Sequence, residues 1–396
     1  MREEDPQVDG SRFRALEETV SRLEARLHEL EHTRKHTDDA EETPPTQGLN
    51  DTPIAQKCLC SASGQPSGRR LIVALDGTEN KFGAQSSHVV EFYSRIMKSE
   101  NQPSYYTSGI GTYAKKSGPI KRISAFVKNK WASVTAWNFK SNLLAGYQWL
   151  SENYQPGDQI FLLGYSRGAY QARVLAAMIA KVGLIRTGNK EQIPFAFEIY
   201  RDAKSSIEVH VLPQVSQFKK AFCRNVHIHF VGVWDTVSSV GLFSRKVYPG
   251  AQSADNICFV RHALALDERR VKFLPEYVTA PRSSFERGEF GAPRCKEVWF
   301  RGCHSDVGGG KQTNFTSDNG AVPSRWMAYE AMLAGLDMLP FKRNVGTQDL
   351  TGRPPSNSMT VFYKIFEYFP FLAWADPALS PLEPYPGPRF LRCATL

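Results

Sequence analysis

Residues 159–181 read QIFLLGYSRGAYQARVLAAMIAK, and this stretch decides the fold. Its first part is a short apolar run without polar alternation, which is typical of a strand buried on both faces. Its second part is rich in alanine and other helix formers. Gly164 and Gly168 lie on either side of the junction, where small residues let a strand and the next helix approach closely. The stretch therefore predicts a buried strand that turns sharply into a helix.

The junction itself carries a chemical signal. Residues 164–168, GYSRG, fit the pattern G-x-S-x-G, in which a serine sits on a strained strand-to-helix turn with its hydroxyl exposed. The N-terminus of the following helix directs the positive end of its dipole at Ser166. Because the strand, the turn and the helix are all predicted, we interpret Ser166 as the nucleophile of a serine hydrolase and not as an incidental serine in a glycine-rich turn.

Strands and helices alternate along the rest of the chain. This alternation, with strands that are apolar almost throughout, predicts an α/β fold of the α/β-hydrolase type: a mostly parallel sheet covered by helices on both faces. The predicted strands are LIVALDGT at 71–78, a short one near Tyr105, VHIHFVGVW at 226–234 and EVWFRGC at 297–303, and the predicted helices cover 89–98, 138–152 and 167–181.

A serine hydroxyl needs a histidine to accept its proton and an acid to orient that histidine. In parallel sheets such groups gather at the carboxyl ends of the strands. His304 follows a predicted strand and opens the glycine-rich loop of GCHSDVGGG, and Asp235 follows the strand at 226–234. The resulting chain order, serine, acid and histidine, is that of α/β-hydrolases. We therefore predict that Ser166, Asp235 and His304 form the triad.

Other acids and histidines receive secondary roles. Asp306 lies two residues after His304 and is interpreted as an organiser of that loop, with Asp267 a weaker rival to Asp235. His227 and His229 fall inside a predicted strand and are expected to be buried or packed on a face, whereas His262 is expected in a helix, as a structural residue.

The oxyanion of the transition state needs backbone donors near the serine. We expect the N–H of Arg167, the residue after the nucleophile, and an N–H from a neighbouring strand-end turn. The DGT turn that ends the strand at 71–78 is our choice, with Gly77 and Thr78 as donors. Asp76 is expected to organise this turn by accepting backbone hydrogen bonds.

The N-terminal part of the chain differs in character from the rest. A heptad-like apolar stripe predicts a short coiled-coil helix within residues 1–31, which is expected either to self-associate through residues 13–31 or to dock on a partner. Residues 32–70 are too polar to build a core and are predicted to be a disordered linker. The catalytic domain is expected over 71–396. The stripe consists of Leu16, Val20, Leu23, Leu27 and Leu30.

Composition restricts the partners. The net charge of +9 comes from scattered basic residues, so we interpret it as a basic enzyme surface and expect no nucleic-acid partner. Seven cysteines without paired spacings favour a reducing compartment, and the start of the chain lacks an apolar signal segment, so a cytoplasmic enzyme is expected. The C-x-C pair, Cys58 and Cys60, is weak support for a metal, and neither a metal nor a cofactor is expected.

Five segments, in order, resemble the hydrolase domain of type VI secretion phospholipase effectors and of many uncharacterised fungal and bacterial proteins. The resemblance covers residues 70 to 375 and implies the same triad, Ser166, Asp235 and His304, with a lipid ester as the substrate. The segments are LIVALDGTEN, YYTSGIGT, NYQPGDQIFLLGYSRGAYQAR, FVGVWDTVSSVG and FRGCHSDVGGG.

Three alternatives stay open at this point. A metal-dependent hydrolase could use Asp76, Asp235, His304 and Asp306, which all follow predicted strands. A phosphohydrolase is disfavoured because Ala74 stands where its nucleophilic aspartate would be. A non-catalytic interaction protein could keep the fold without the activity. Among substrates, a lipid ester is the leading class and a small soluble ester is the second. The basic segment 115–140 and the apolar segment 361–375 suggest peripheral membrane contact.

Overall fold

The structure is a computed structural model of the chain. It describes residues 60, 68–77, 86–108, 125–202, 213–238, 248–270, 273–281, 284, 293–310, 322–341, 356 and 358, with the side chains of 125–138 excepted. The predicted helix at 1–31 and nearly all of the predicted linker at 32–70 lie outside these residues, so both stay predictions.

In the described part of the chain, six strands form the central sheet, and each pairing between neighbouring strands is parallel. These strands are β1 (Arg70–Leu75), β2 (Ser104–Thr107), β3 (Gln159–Tyr165), β6 (Ile228–Trp234), β7 (Ile257–Ala265) and β8 (Cys295–Phe300). Their order across the sheet is β2-β1-β3-β6-β7-β8. Two short strands, β4 (Leu184–Ile185) and β5 (Cys223–Arg224), form a separate antiparallel pair.

Helices cover both faces of this sheet, as predicted, because its strands are apolar on both sides. Leu71, Val73 and Leu75 of β1 pack with three helices on one face, α2 (Ala125–Asn153), α3 (Arg167–Val182) and α4 (Ile193–Asp202). Ile72 and Ala74 pack on the other face with two further helices, α1 (His88–Arg95) and α7 (Val322–Leu333). The described residues also form α5 (Pro213–Phe222), the short α6 (His304–Gly308) and a 3-10 helix (Lys190–Gln192).

The strand order places a crevice at the carboxyl edge of the sheet. After β1 the chain adds β2 on one side, and it then returns to add β3 on the other side. Such a reversal separates the connections that follow two neighbouring strands, and ligands of open α/β sheets bind there. The ends of β1 and β3 are thus the natural location for a functional site.

Three local predictions were wrong. His262 lies in β7 and not in a helix, and this strand was missed. His227 is exposed and precedes β6, which starts at Ile228, whereas His229 is buried as expected. The strand predicted at 297–303 spans Cys295–Phe300, so a short turn separates it from His304. Charged and polar residues inside β7 explain the first error, because their partners lie on distant segments.

Within the described residues, no helix combines the length and the apolar character that a membrane span requires.

The glycines at the β3–α3 junction are held in close backbone contacts. A Cβ atom on Gly168 would lie 2.2 Å from the carbonyl oxygen of Leu75 and 2.5 Å from that of Asp76. A Cβ atom on Gly164 would lie 2.5 Å from the carbonyl oxygen of Gly168. Backbone atoms cannot move aside as flexible side chains can, so both positions require glycine.

We expect Gly168→Ala to lower the free energy of unfolding by about 1–3 kcal/mol or more, because the methyl group overpacks against the end of β1. Gly146→Ala is the matched control. A Cβ atom there meets only side chains, at 3.5 Å or more, and alanine favours a helix by about 1 kcal/mol over glycine. Urea unfolding of both variants measures the difference, and equal stabilities would contradict the close contact.

Candidate active site

Ser166 occupies the turn between β3 and α3 in a strained backbone conformation. Its φ of 58° and ψ of −122° lie outside the regions that L-residues normally adopt. Its N–H donates to the carbonyl of Trp234 at 3.0 Å, and its carbonyl accepts from the N–H of Val237 at 3.3 Å. Strain of this kind costs about 1–3 kcal/mol and persists where surrounding contacts enforce it. The neighbouring strand β6 supplies those contacts.

His304, the first residue of α6, lies between Ser166 and Asp235. Its Nε2 is 2.8 Å from the Ser166 Oγ, and its Nδ1 is 2.6 Å from Oδ2 of Asp235. An ionised carboxylate can only accept, so Nδ1 carries the proton and Nε2 is left to accept the serine hydroxyl proton. All three side chains are almost completely buried. The structure thus brings the three predicted residues together in hydrogen-bonding contact.

Asp235 is held by the adjacent strand β7. Its φ of 40° makes it, with Ser166, one of two non-glycine residues with positive φ in the described part of the chain. Its N–H donates to the carbonyl of Ala263 at 2.7 Å, and its Oδ1 accepts from the N–H of Ala265 at 3.0 Å. One carboxylate oxygen is therefore fixed to β7, which leaves the other for His304.

His262, a residue of β7, stabilises the turn that contains Asp235 and Thr236. Its Nε2 accepts from the N–H of Thr236 at 3.2 Å, and its Nδ1 faces Oε1 of Glu297 at 2.9 Å. The glutamate accepts the Nδ1 proton, which leaves Nε2 free of hydrogen and able to accept. A fully buried histidine in β7 thus positions the residue that follows Asp235.

Glu268 is a site residue that the sequence reasoning missed. Its Oε2 accepts from the N–H of His304 at 3.1 Å, and both carboxylate oxygens receive the Arg270 guanidinium, at 2.8 and 2.9 Å. Burial alone would raise the pKa of Glu268, but the bonds from Arg270 and from the His304 N–H outweigh burial and lower the pKa to about 2. Its only sequence signal was its place after a strand, and that strand was not recognised.

Two aromatic rings enclose the imidazole. The ring of Tyr165 lies 4.8 Å from that of His304, and Phe273 meets His304 edge to face at 4.9 Å. The Tyr165 hydroxyl donates to the His304 carbonyl at 3.2 Å, and burial raises the pKa of this tyrosine well above its usual value. Tyr165 therefore stays neutral, and His304 is held both by its ring and by its backbone.

The two predicted supporting aspartates accept hydrogen bonds from their own turns and from distant hydroxyl groups. Asp76 accepts from the N–H of Gly77 at 2.6 Å and from the hydroxyls of Ser87 and Tyr106, both at 2.8 Å. Asp306 accepts from the N–H of Cys303 at 2.9 Å and, as its shortest contact, from the hydroxyl of Ser356 at 2.6 Å. Burial would raise the pKa of Asp306, but these bonds lower it. Asp235, and not Asp306, is the carboxylate bonded to His304.

The turn after β1 changes the expectation for the oxyanion donors. The N–H of Gly77 has its partner in the Asp76 carboxylate, so we do not carry Gly77 forward as a donor. Thr78 lies outside the described residues. Arg167 is the first residue of α3, directly after Ser166, as the prediction requires.

The metal-dependent alternative finds little support in this geometry. Within the part of the chain that the structure describes, Asp76, Asp235, His304 and Asp306 do not form a group whose ligand atoms all converge on one point. Two consecutive hydrogen bonds instead connect the hydroxyl of Ser166, the imidazole of His304 and the carboxylate of Asp235.

Comparison with known proteins identifies a matching family. Residues 69–330 match the family model described as the catalytic domain of Tle1-like type VI secretion phospholipase effectors. The matched range begins one residue before β1 and ends within α7, so it contains all six strands of the sheet.

Individual relatives match over part of their length. An uncharacterised protein of Saccharomyces cerevisiae, YEL023C, is 34% identical over 224 residues, which is 54% of this chain and 33% of the yeast protein. An uncharacterised protein from Pseudomonas aeruginosa, solved by crystallography, is 17% identical with a TM-score of 0.39, over 75% of this chain and 50% of that one. The Tle1 effector bound to the VgrG spike is 16% identical with a TM-score of 0.29, over 62% and 52%. The chain thus spans a third to a half of these relatives.

The Glu268 carboxylate gives a pH-dependent prediction. Its folded-state pKa of about 2 lies below the ordinary 4.5, so it stabilises the folded state above about pH 4.5 and loses this effect as the pH falls towards 2. We expect Glu268→Gln to have a lower free energy of unfolding than wild type at pH 7, and the difference between the two to be smaller at pH 3. Urea unfolding at several pH values measures this. Glu100→Gln, at an exposed position, is the control, and a gap that is constant with pH would contradict the assignment.

Proposed function

Since this chain belongs to the family of Tle1-like phospholipase effector catalytic domains, we propose that it hydrolyses carboxylic esters of lipids by a serine mechanism. Ser166 is the nucleophile, His304 the general base and Asp235 the orienting acid. The observation that carries the proposal is the hydrogen-bonded line from Ser166 through His304 to Asp235, built on a strained strand-to-helix turn.

The proposed reaction has two halves. The Ser166 Oγ attacks the ester carbonyl while His304 Nε2 takes the hydroxyl proton, and the imidazolium then gives that proton to the departing alcohol. A water molecule, deprotonated by the same nitrogen, next attacks the acyl-serine; the bond to Ser166 Oγ breaks, the imidazolium returns its proton to that oxygen, and the carboxylic acid is released. The Asp235 carboxylate stabilises the imidazolium that forms in each half.

Charge on the carbonyl oxygen requires donors that are already in place. We assign one donor to the N–H of Arg167 in the first turn of α3, where the helix dipole also favours negative charge. The second donor in this proposal belongs to the connection between β1 and α1, with Thr78 as the candidate. Asp76 supports that connection by anchoring the turn at Gly77 through its carboxylate.

A lipid surface is the substrate environment that we favour over a soluble ester. Leu266 and Leu274 are 55% and 54% exposed, and the segment between them contains Glu268 and Phe273, which contact His304. Arg269, also exposed, lies in the same segment. Exposed leucines beside a cationic residue suit contact with an anionic membrane surface. Residues 71–396 are the catalytic domain in this proposal, and the role of residues 13–31 in self-association stays a prediction.

The nucleophile is tested with a fluorophosphonate probe, which reacts with activated serines. We expect wild type and Ser151→Ala to be labelled and Ser166→Ala to remain unlabelled, because the hydroxyl of the buried Ser151 donates to the backbone carbonyl of Ile185 and is not the one that lies against His304 Nε2. Labelling that persists in Ser166→Ala would overturn the assignment. Absence of labelling and of ester turnover in a folded wild type would favour the non-catalytic alternative.

The acid is tested by Asp235→Asn, which keeps the size of the side chain but can present an N–H to His304. The wrong imidazole tautomer then results, and we expect kcat to fall by about 10⁴-fold with little change in stability. Ester hydrolysis with a soluble chromogenic substrate measures kcat, and circular dichroism checks the fold. Activity within tenfold of wild type would show that another group orients His304.

The lipid surface is tested by Leu274→Ser and Leu266→Ser. We expect both to reduce hydrolysis of phospholipid in anionic vesicles several-fold while leaving a short soluble ester unaffected, because only the vesicle reaction needs apolar contact. Leu339→Ser, at another exposed leucine, is the control. Equal losses on both substrates would instead indicate damage to the site, and no loss on vesicles would favour a soluble ester.

A further inference from the structure

Three potential metal ligands converge at the amino end of the sheet. The Sγ atoms of Cys60 and Cys258 and one ring nitrogen of His229 all lie within 4.8 Å of one another. His229 and Cys258 are each the second residue of their strand, β6 and β7, whose register pairs Ile228 with Ile257. The two side chains are therefore direct neighbours across the sheet. Cys60 reaches them from a segment that precedes β1.

The orientation of the imidazole suits metal binding. Its Nε2 lies 2.8 Å from the carbonyl oxygen of Ala334, and a carbonyl cannot donate, so Nε2 carries the proton. The lone pair of Nδ1 is then directed towards Cys60 Sγ, 3.1 Å away. Histidine ligands are commonly fixed in this way, with the second ring nitrogen bonded to a carbonyl or carboxylate.

The surroundings are closed and apolar. His229 is completely buried and Cys258 almost so, and the rings of Phe161 and Phe259 lie 5.1 and 5.5 Å from the imidazole. A hydrogen bond from the Cys60 thiol to Nδ1 explains the contact between those two residues. The sulfur of a third residue, Cys258, lies within 4.8 Å of the Cys60 sulfur and of a ring nitrogen of His229.

We propose that Cys60, His229 and Cys258 bind a Zn²⁺ ion in a structural site. Two thiolates and an imidazole form the ligand class that zinc prefers, with bonds of about 2.3 Å to sulfur and 2.0–2.1 Å to nitrogen. Ligand atoms in a tetrahedral site of that size lie roughly 3.5–3.8 Å apart, so small side-chain movements bring the three atoms into bonding distance of one ion, and a water molecule is the fourth ligand in this proposal. Cys58, which precedes Cys60 by two residues, lies outside the described residues and is not required by the proposal.

The site is remote from the proposed chemistry. His229 is the second residue of β6 and Asp235 follows its end, so the two lie on the order of 15–20 Å apart along the strand. The ion would instead fasten the segment before β1 to the centre of the sheet. Metal binding that joins distant segments contributes directly to the free energy of folding. This proposal is therefore independent of the proposed function.

The first experiment measures metal content. Wild type, purified after growth with zinc, is expected to hold about one equivalent of zinc per chain by mass spectrometry of the metal. Cys60→Ser, Cys258→Ser and His229→Gln are each expected to lose about tenfold or more of it. Cys223→Ser, which alters a buried thiol on β5, is the control and retains the zinc.

The Cys60→Ser variant separates the two explanations of the Cys60–His229 contact. The serine hydroxyl can still donate to Nδ1 but cannot supply a thiolate. If Cys60 only donates a hydrogen bond, the variant is therefore expected to match wild type in stability and metal content. Wild-type metal content in Cys60→Ser or Cys258→Ser would overturn the proposal.

The second experiment remains decisive if the variants fold poorly, because it uses wild type alone. Chelation followed by Co²⁺ is expected to produce a thiolate-to-cobalt charge-transfer band and the intense visible bands of a tetrahedral site. Chelation is also expected to lower the melting temperature, and Zn²⁺ but not Mg²⁺ to restore it. Absence of zinc, of the cobalt bands and of a response to chelator would show that the three residues are an ordinary polar cluster.

Discussion

Where β3 turns into α3, the backbone of Gly168 lies against the carbonyl groups that end β1, at a distance that excludes even a methyl group. This contact fixes the start of α3 relative to the sheet, and with it the strained backbone of Ser166. The hydrogen bond from the Ser166 N–H to Trp234 then ties the same turn to the end of β6. The position of the serine hydroxyl thus depends on backbone contacts with the strands on either side of β3. The other side chains of the site are arranged around this fixed hydroxyl.

From this point the site extends outward across the sheet, one strand at a time. Asp235 follows β6 and is bonded to the backbone of β7 through Ala263 and Ala265. The segment after β7 contributes Glu268, which holds the His304 N–H, and β8 leads into His304 itself. β6 therefore positions the serine that follows β3, β7 positions the aspartate that follows β6, and the segment after β7 positions the histidine that follows β8. Parallel strands make this possible, because all of their carboxyl ends meet at one edge.

The sequence predicted the parts of this arrangement that depend on local patterns. The limits of β3 agree with its apolar run, and the fold class follows from the alternation of strands and helices. β7 was mistaken in part for a helix because Arg261 and His262 are unusual in a buried strand. Their partners, Glu330 and Glu297, are far away in the chain, and no local pattern reveals such pairs. Glu268 was missed for the same reason, and so was the approach of Cys60 to His229. The roles assigned to Ser166, Asp235 and His304 stay predictions, although their geometry agrees with the order of the motifs.

The place of β8 at the edge of the sheet has a consequence for synthesis of the protein. Ser166 and Asp235 leave the ribosome well before His304, and only the docking of β8 beside β7 brings the imidazole to the serine. Long-range parallel pairing forms late, because the closing of large loops precedes any gain from contacts. A nascent chain would thus carry its proposed nucleophile without its proposed base until most of the sheet exists. Under the proposed mechanism the chain would stay inactive during synthesis, and ester hydrolysis would report that β8, the last described strand of the sheet, has docked.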